Sequence, residues 1–80
     1  MVITVRFFAS YADKLGIRDT TLTLAEPASV TDVVSSVADL PGGDALPRNP
    51  LIAVNHVYAS LDTPVSAGDE VAFIPPVAGG

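Results

Sequence analysis

Cysteine is absent from this 80-residue chain, so no disulfide staples it and no thiolate stands ready as nucleophile or ligand. Histidine occurs once, at His56. One imidazole without a matched second ligand makes no metal site. Basic residues are scarce: Arg6, Lys14, Arg18 and Arg48 stand against nine acids, for a net charge of −5. No basic patch can form to neutralise phosphates, so nucleic acid is not an expected partner. An acidic chain is steered instead toward basic surfaces on other proteins, and the same charge keeps an apolar domain in solution. No stretch approaches the roughly 20 apolar residues of a membrane span, so no membrane partner is expected. The opening MVITVRFF lacks the ordered basic, apolar and cleavage regions of a signal peptide. A soluble cytoplasmic protein is the expectation.

Catalytic constellations are missing too. No Ser-His-Asp spacing marks a nucleophile elbow. Asp69 and Glu70 are adjacent, and neighbours in a strand point to opposite faces, so they form no carboxylate dyad. Gly42-Gly43 lacks the Lys and Ser/Thr of a phosphate loop and reads as loop flexibility.

Hydrophobic residues are abundant, at 49% against 16% charged. A chain of this length makes one domain, residues 1–80, with more apolar residues than a small core can hide. Some must face outward, which points to a partner surface.

The apolar residues are patterned. VITVRFF alternates, with Ile3, Val5 and Phe7 on one face and Val2, Thr4, Arg6 and Phe8 on the other, which predicts a first strand. SYADKLG predicts a short helix capped by Ser10, with Asp13 at its third position and Gly16 closing it. RDTTLTL alternates again, Leu22 and Leu24 against Thr21 and Thr23, before EPAS breaks the strand. SVTDVVSSVADL is the main helix. Ser29 caps it, Asp32 complements its dipole, and Val30, Val33, Val34 and Val37 form one stripe. Valine is a mediocre helix former, so this helix depends on packing against a sheet. PGGDALPRNP, residues 41–50, reads as a mobile loop. LIAVN is a strand, His56 falls in a turn, and HVYAS holds a short edge strand. Thr63-Pro64 and Gly68-Asp69 signal turns. EVAFI closes the pattern, Val71 and Phe73 against Ala72 and Ile74. The expected fold is two-layer α+β, with the main helix across a small mixed sheet and the first and last strands side by side in its middle. Phe8 and Ile74 then share the face away from the helix. They form the expected partner-binding spot, with Phe73 and Tyr58 beside them.

The sequence closes on PPVAGG. Pro75 and Pro76 fix φ and donate no hydrogen bond, so the last strand must stop and the chain must leave extended. Six extended residues, Pro75, Pro76, Val77, Ala78, Gly79 and Gly80, reach roughly 20 Å. Glycines without side chains can thread a channel that larger residues would block. A carboxylate is a poor acyl donor until activated. Adenylation supplies a leaving group, and a sulfur nucleophile can displace AMP to leave a thiocarboxylate at Gly80. Nothing in this scheme needs Cys, His or metal in the carrier itself.

FFASYADKLG, VNHVYA and DTPVSAGDEVAFIPPVAGG together resemble the small subunits of molybdopterin synthase, which are ubiquitin-like β-grasp sulfur carriers. The likeness spans essentially the whole chain, is weakest over 41–50, and is most specific in GDEVAFIPPVAGG. It implies that Gly80 carries a thiocarboxylate on the tail of residues 75–80. It implies that the tail enters the large subunit of a heterotetramer, where two charged carriers deliver sulfur to cyclic pyranopterin monophosphate to build the dithiolene. It also implies an adenylating and sulfurating partner to which ATP and magnesium belong, with no cofactor bound by this chain. The chain is then a co-substrate and no enzyme alone. Ala78 stands where relatives often carry Ser or Thr, and alanine also occurs in carriers serving cysteine biosynthesis. Carriers for cysteine or thiamine thiazole synthesis, a lysine-conjugated protein modifier, and a plain binding domain are the alternatives.

Overall fold

The first strand shows how the sequence builds the sheet. Along β1 (Val2–Phe7) exposed and buried residues alternate without a break, and Ile3, Val5 and Phe7 are buried. Such a strand can satisfy its apolar face only against a second layer. The computed structural model describes residues 1–76 and supplies that layer. The order is β1, α1 (Ala9–Leu15), β2 (Asp19–Thr23), β3 (Ala28–Ser29), α2 (Val30–Ala38), a 3-10 turn (Gly43–Ala45), β4 (Leu51–Val54), β5 (Val57–Ala59), β6 (Pro64–Val65) and β7 (Glu70–Ile74).

Five strands form one sheet in the order β2-β1-β7-β4-β5, and β3 and β6 form a separate two-stranded ribbon. β1 and β7 run parallel, while the other neighbours are antiparallel. The parallel register sets Val5 beside Val71 and Phe7 beside Phe73. These rings pack tilted, with centroids 5.5 Å apart. Val30, Val33 and Val37 of α2 join the same core, with Val34 packed at its margin. Tyr11 and Leu15 of α1 complete it. Each fully buried Val or Phe contributes about 1.5–3 kcal/mol relative to exposure, so the valine stripe holds α2 in place despite its modest helix propensity.

Local signals set the ends of α2. Ser29 is its N-cap, and the Asp32 carboxylate accepts the Ser29 backbone N–H at 2.8 Å. The next free donors, Val30 N–H and Thr31 N–H, reach the carbonyls of Thr63 and Leu61, each at 2.9 Å. Gly16 ends α1 at φ +72, its N–H donating to the Ala12 carbonyl at 2.8 Å.

Three expectations are corrected. Phe8, not Ser10, is the N-cap of α1, and it makes no side-chain capping bond. The chain turns sharply there, with Ala9 at φ +47, so the helix starts one residue before the serine could cap it. Residues 41–50 are not loop throughout. They hold the 3-10 turn, and a Cβ at Gly43 would overlap the Val37 carbonyl, as one at Gly42 would overlap that of Lys14. These glycines permit close approach of the turn to both helices, a packing role that the loop reading did not include. Pro64 begins the short strand β6, pairing with Ser29.

Candidate functional site

The sheet face away from the core begins with small residues. Ala72 pairs with Ala53 across β7 and β4, and also with Arg6 across β7 and β1; Ala53 pairs in turn with Tyr58. One row across four strands therefore reads Arg6, Ala72, Ala53, Tyr58. Two methyl groups in the middle of a row of long side chains leave a trough. It has a volume of about 270 Å³, lined by Arg6, Phe8, Ala53, His56, Tyr58, Glu70, Ala72 and Ile74.

The two ends of the trough differ. One is apolar. Phe8 is 45% exposed and Tyr58 70% exposed, and Ile74 is half-buried beside exposed Leu51. Pro75 and Pro76 follow directly from this end. The other end is charged. Glu70 receives Arg6 Nη1 on one carboxylate oxygen at 3.1 Å, and His56 Nε2 lies 3.2 Å from the other. Both contacts are at the surface, where an ion pair is worth at most about 1 kcal/mol; they arrange charge more than they stabilise the fold.

The β4–β5 turn brings His56 there. Val54 pairs with Val57, leaving Asn55 and His56 as a two-residue loop at φ +50 and +70. Both central residues at positive φ define the mirror-image turn favoured in hairpins. Asn55 anchors it: its side chain accepts the Glu70 N–H at 2.9 Å and donates to Asp69 at 3.0 Å, while its own N–H reaches the Glu70 carbonyl at 2.8 Å. Asp69 and Glu70 thus serve different partners, and no carboxylate dyad forms.

The structure brings Phe8, Ile74 and Tyr58 together on one face. It removes Phe73 from them. That ring is fully buried between Phe7 and the helix side of the sheet, and strand alternation puts it opposite Ile74. Pro75 and Pro76 lie at the end of β7, whereas Val77, Ala78, Gly79 and Gly80 lie outside the described residues. Arg6, His56 and Glu70 were read one by one from sequence but not as partners lining one face, and the two-alanine floor was not singled out. The outward alanines in IAVN and VAF were the available signal, but only the β4–β7 register makes them neighbours. Among the described residues no group of three His, Cys, Asp or Glu side chains could hold a metal, and no helix is long and apolar enough to cross a membrane.

The ThiS family model matches residues 5–80. This chain belongs to the ThiS family. Relatives of this ThiS-family chain include the molybdopterin synthase sulfur carrier subunit of Escherichia coli, 38% identical over 99% of this chain and all of that one. In three dimensions it is similar to SAMP1 from Haloferax volcanii, with a TM-score of 0.86, 26% identity and full coverage of both chains. It also shares its fold with a chain in the complex of subunits 1 and 2 of the molybdopterin-converting factor from Helicobacter pylori, with a TM-score of 0.75, 23% identity and full coverage of both. These likenesses make the architecture a ubiquitin-like β-grasp, as the strand and helix pattern anticipates.

Proposed function

We propose that this ThiS-family chain is a sulfur-carrier subunit of molybdopterin synthase. The observation that carries the reading is the full-length, 38% identical match to a sulfur carrier subunit of that enzyme. The trough supports it. An exposed apolar patch of Phe8, Ile74 and Tyr58 sits where β7 hands the chain to Pro75 and Pro76, so a protein docked there is also next to the start of the tail.

In this reading residues 1–80 act as one carrier domain with residues 75–80 as its arm. A cytoplasmic activating enzyme holding ATP and magnesium adenylates the Gly80 carboxylate, with pyrophosphate leaving. Hydrosulfide then attacks the acyl carbon, AMP leaves, and a thiocarboxylate remains. The large subunit docks on the trough, in a heterotetramer, and takes the arm into its active site. Sulfur passes to cyclic pyranopterin monophosphate, and water returns Gly80 to a carboxylate. Two such deliveries complete a dithiolene. The carrier binds no cofactor and is consumed and recharged as a co-substrate. Gly79 and Gly80 suit a narrow channel because they have no side chains.

The test is intact-mass measurement of the chain after incubation with a molybdopterin-pathway activating enzyme, ATP, magnesium and a sulfur source. Exchange of one oxygen for sulfur at Gly80, lost on deletion of Gly80, is expected. No exchange, with isopeptide ladders on lysines of other proteins, would replace the carrier with a modifier.

A further inference from the structure

Phe8 is a ridge between two hollows. On one side lies the trough. On the other lies a second hollow of about 410 Å³ between α1 and the β1–β2 edge, lined by Arg6, Phe7, Phe8, Ala9, Ala12, Asp13 and Arg18. A partner that encloses the Phe8 ring must meet both.

The hollows differ in electrostatics. Arg6 borders both, and its charge is engaged by Glu70 on the trough side. Of these two hollows Arg18 borders only the second, and it also edges an adjoining open hollow beside Gly16 and Ile17; it is exposed and has no ion-pair partner within 4.0 Å among the described residues. Asp13 lines the same hollow but pairs with neither arginine. The backbone fixes Arg18 in place: the Phe7 N–H donates to its carbonyl at 2.8 Å, next to Phe8. Only four basic residues exist in a chain of net charge −5, and two of them line this one hollow. The wall between them is apolar, formed by Phe8, Ala9 and Ala12.

We propose that this second hollow receives an acidic segment of the protein that docks on the trough, with a partner carboxylate on Arg18 and apolar atoms against Phe8 and Ala12. The inference rests on the docking part of the reading above. The chain's overall negative charge draws it toward a basic surface. A single carboxylate opposite Arg18 then fixes which way round it sits, because a pose that shifts it toward Asp13 in the same hollow or toward Glu70 in the trough sets it against a like charge. Arg18 is thereby a residue of specificity, since like charges brought together in the wrong pose cost more than the right pair gains.

The test uses the full chain and the purified molybdopterin synthase large subunit, with affinity measured by calorimetry at low and high salt. Arg18→Glu is compared with Arg48→Glu, which changes net charge identically from outside both hollows. Arg18→Glu is expected to weaken binding about tenfold at low salt, with the deficit shrinking at high salt as repulsion is screened. Arg18→Ala should fall in between, and Arg48→Glu should show only a small net-charge effect. Equal binding of Arg18→Glu and Arg48→Glu overturns the acidic-segment proposal while leaving the docking face intact. Failure of the unaltered chain to bind the large subunit removes both this proposal and the partner it rests on.

Discussion

The two faces of the sheet come from the same strands and obey different rules. On the inner face, Ile3, Val5, Phe7, Val71, Phe73 and Ile52 are large and buried, and every one meets another core side chain. On the outer face the residues between them are Thr4, Arg6, Ala72 and Ala53, flanked by exposed Phe8 and Tyr58. A face that served only solubility would carry polar residues throughout. This one has a floor of two methyl groups, an aromatic rim and an ion pair at one end. Folding constrains one set of alternate positions, and the other set is left free to shape a surface.

Substitutions that respect this division separate stability from docking. The largest expected effect is on the inner face. Phe73→Ala should destabilise the fold by about 4 kcal/mol, read from urea unfolding, because it leaves a cavity where four elements meet. That is much of the total stability of a domain this size. Unchanged stability would mean Phe73 is not the core residue its burial makes it. Phe8→Asp should leave unfolding within about 0.5 kcal/mol of the parent while weakening large-subunit binding by about 2 kcal/mol. Equal affinity would place docking elsewhere. His56→Gly should relax the strained turn and raise stability by about 1 kcal/mol, offset only slightly by loss of the exposed Glu70 contact. A fall in stability would show that the contact outweighs the strain.

The smallest effect concerns Asp62. The Ser60 hydroxyl, and then the residue's own backbone N–H, hold its carboxyl below the usual carboxylate range. A depressed folded pKa stabilises above the ordinary carboxylate range, and that stability is lost as pH falls through the depressed value. Asp62→Asn should therefore melt slightly lower than the parent at neutral pH, and the gap should close in acid. A gap that persists in acid would assign the difference to something other than the charge.

Much of the fold was legible because its determinants are local. The alternation in VITVRFF and EVAFI, the valine stripe of α2, the Ser29–Asp32 cap and the glycine closing α1 all act within a few residues. What was missed depends on distant partners. Gly43 cannot show in sequence that Val37's carbonyl lies against it, and Pro64 cannot show that Ser29 waits to pair with its strand. The kink at Ala9 preempts Ser10 as a cap through backbone geometry, not composition. In the site, Phe8 and Ile74 followed from alternation alone. The same alternation contradicted Phe73 as a docking residue. The trough floor needed the pairing of Ala53 with Ala72, two residues 19 positions apart joined only by register.

The most direct measurement follows the sulfur. The chain, charged at Gly80 and isotopically labelled at sulfur, is mixed either with the molybdopterin synthase large subunit and cyclic pyranopterin monophosphate, or with a cysteine or thiazole synthase and that enzyme's own acceptor substrate. The account predicts that label leaves Gly80 and appears in a dithiolene only with the large subunit, and that Phe8→Asp slows this at limiting large subunit. Label that stays on Gly80 with the large subunit, or leaves only with one of the other synthases, would contradict it.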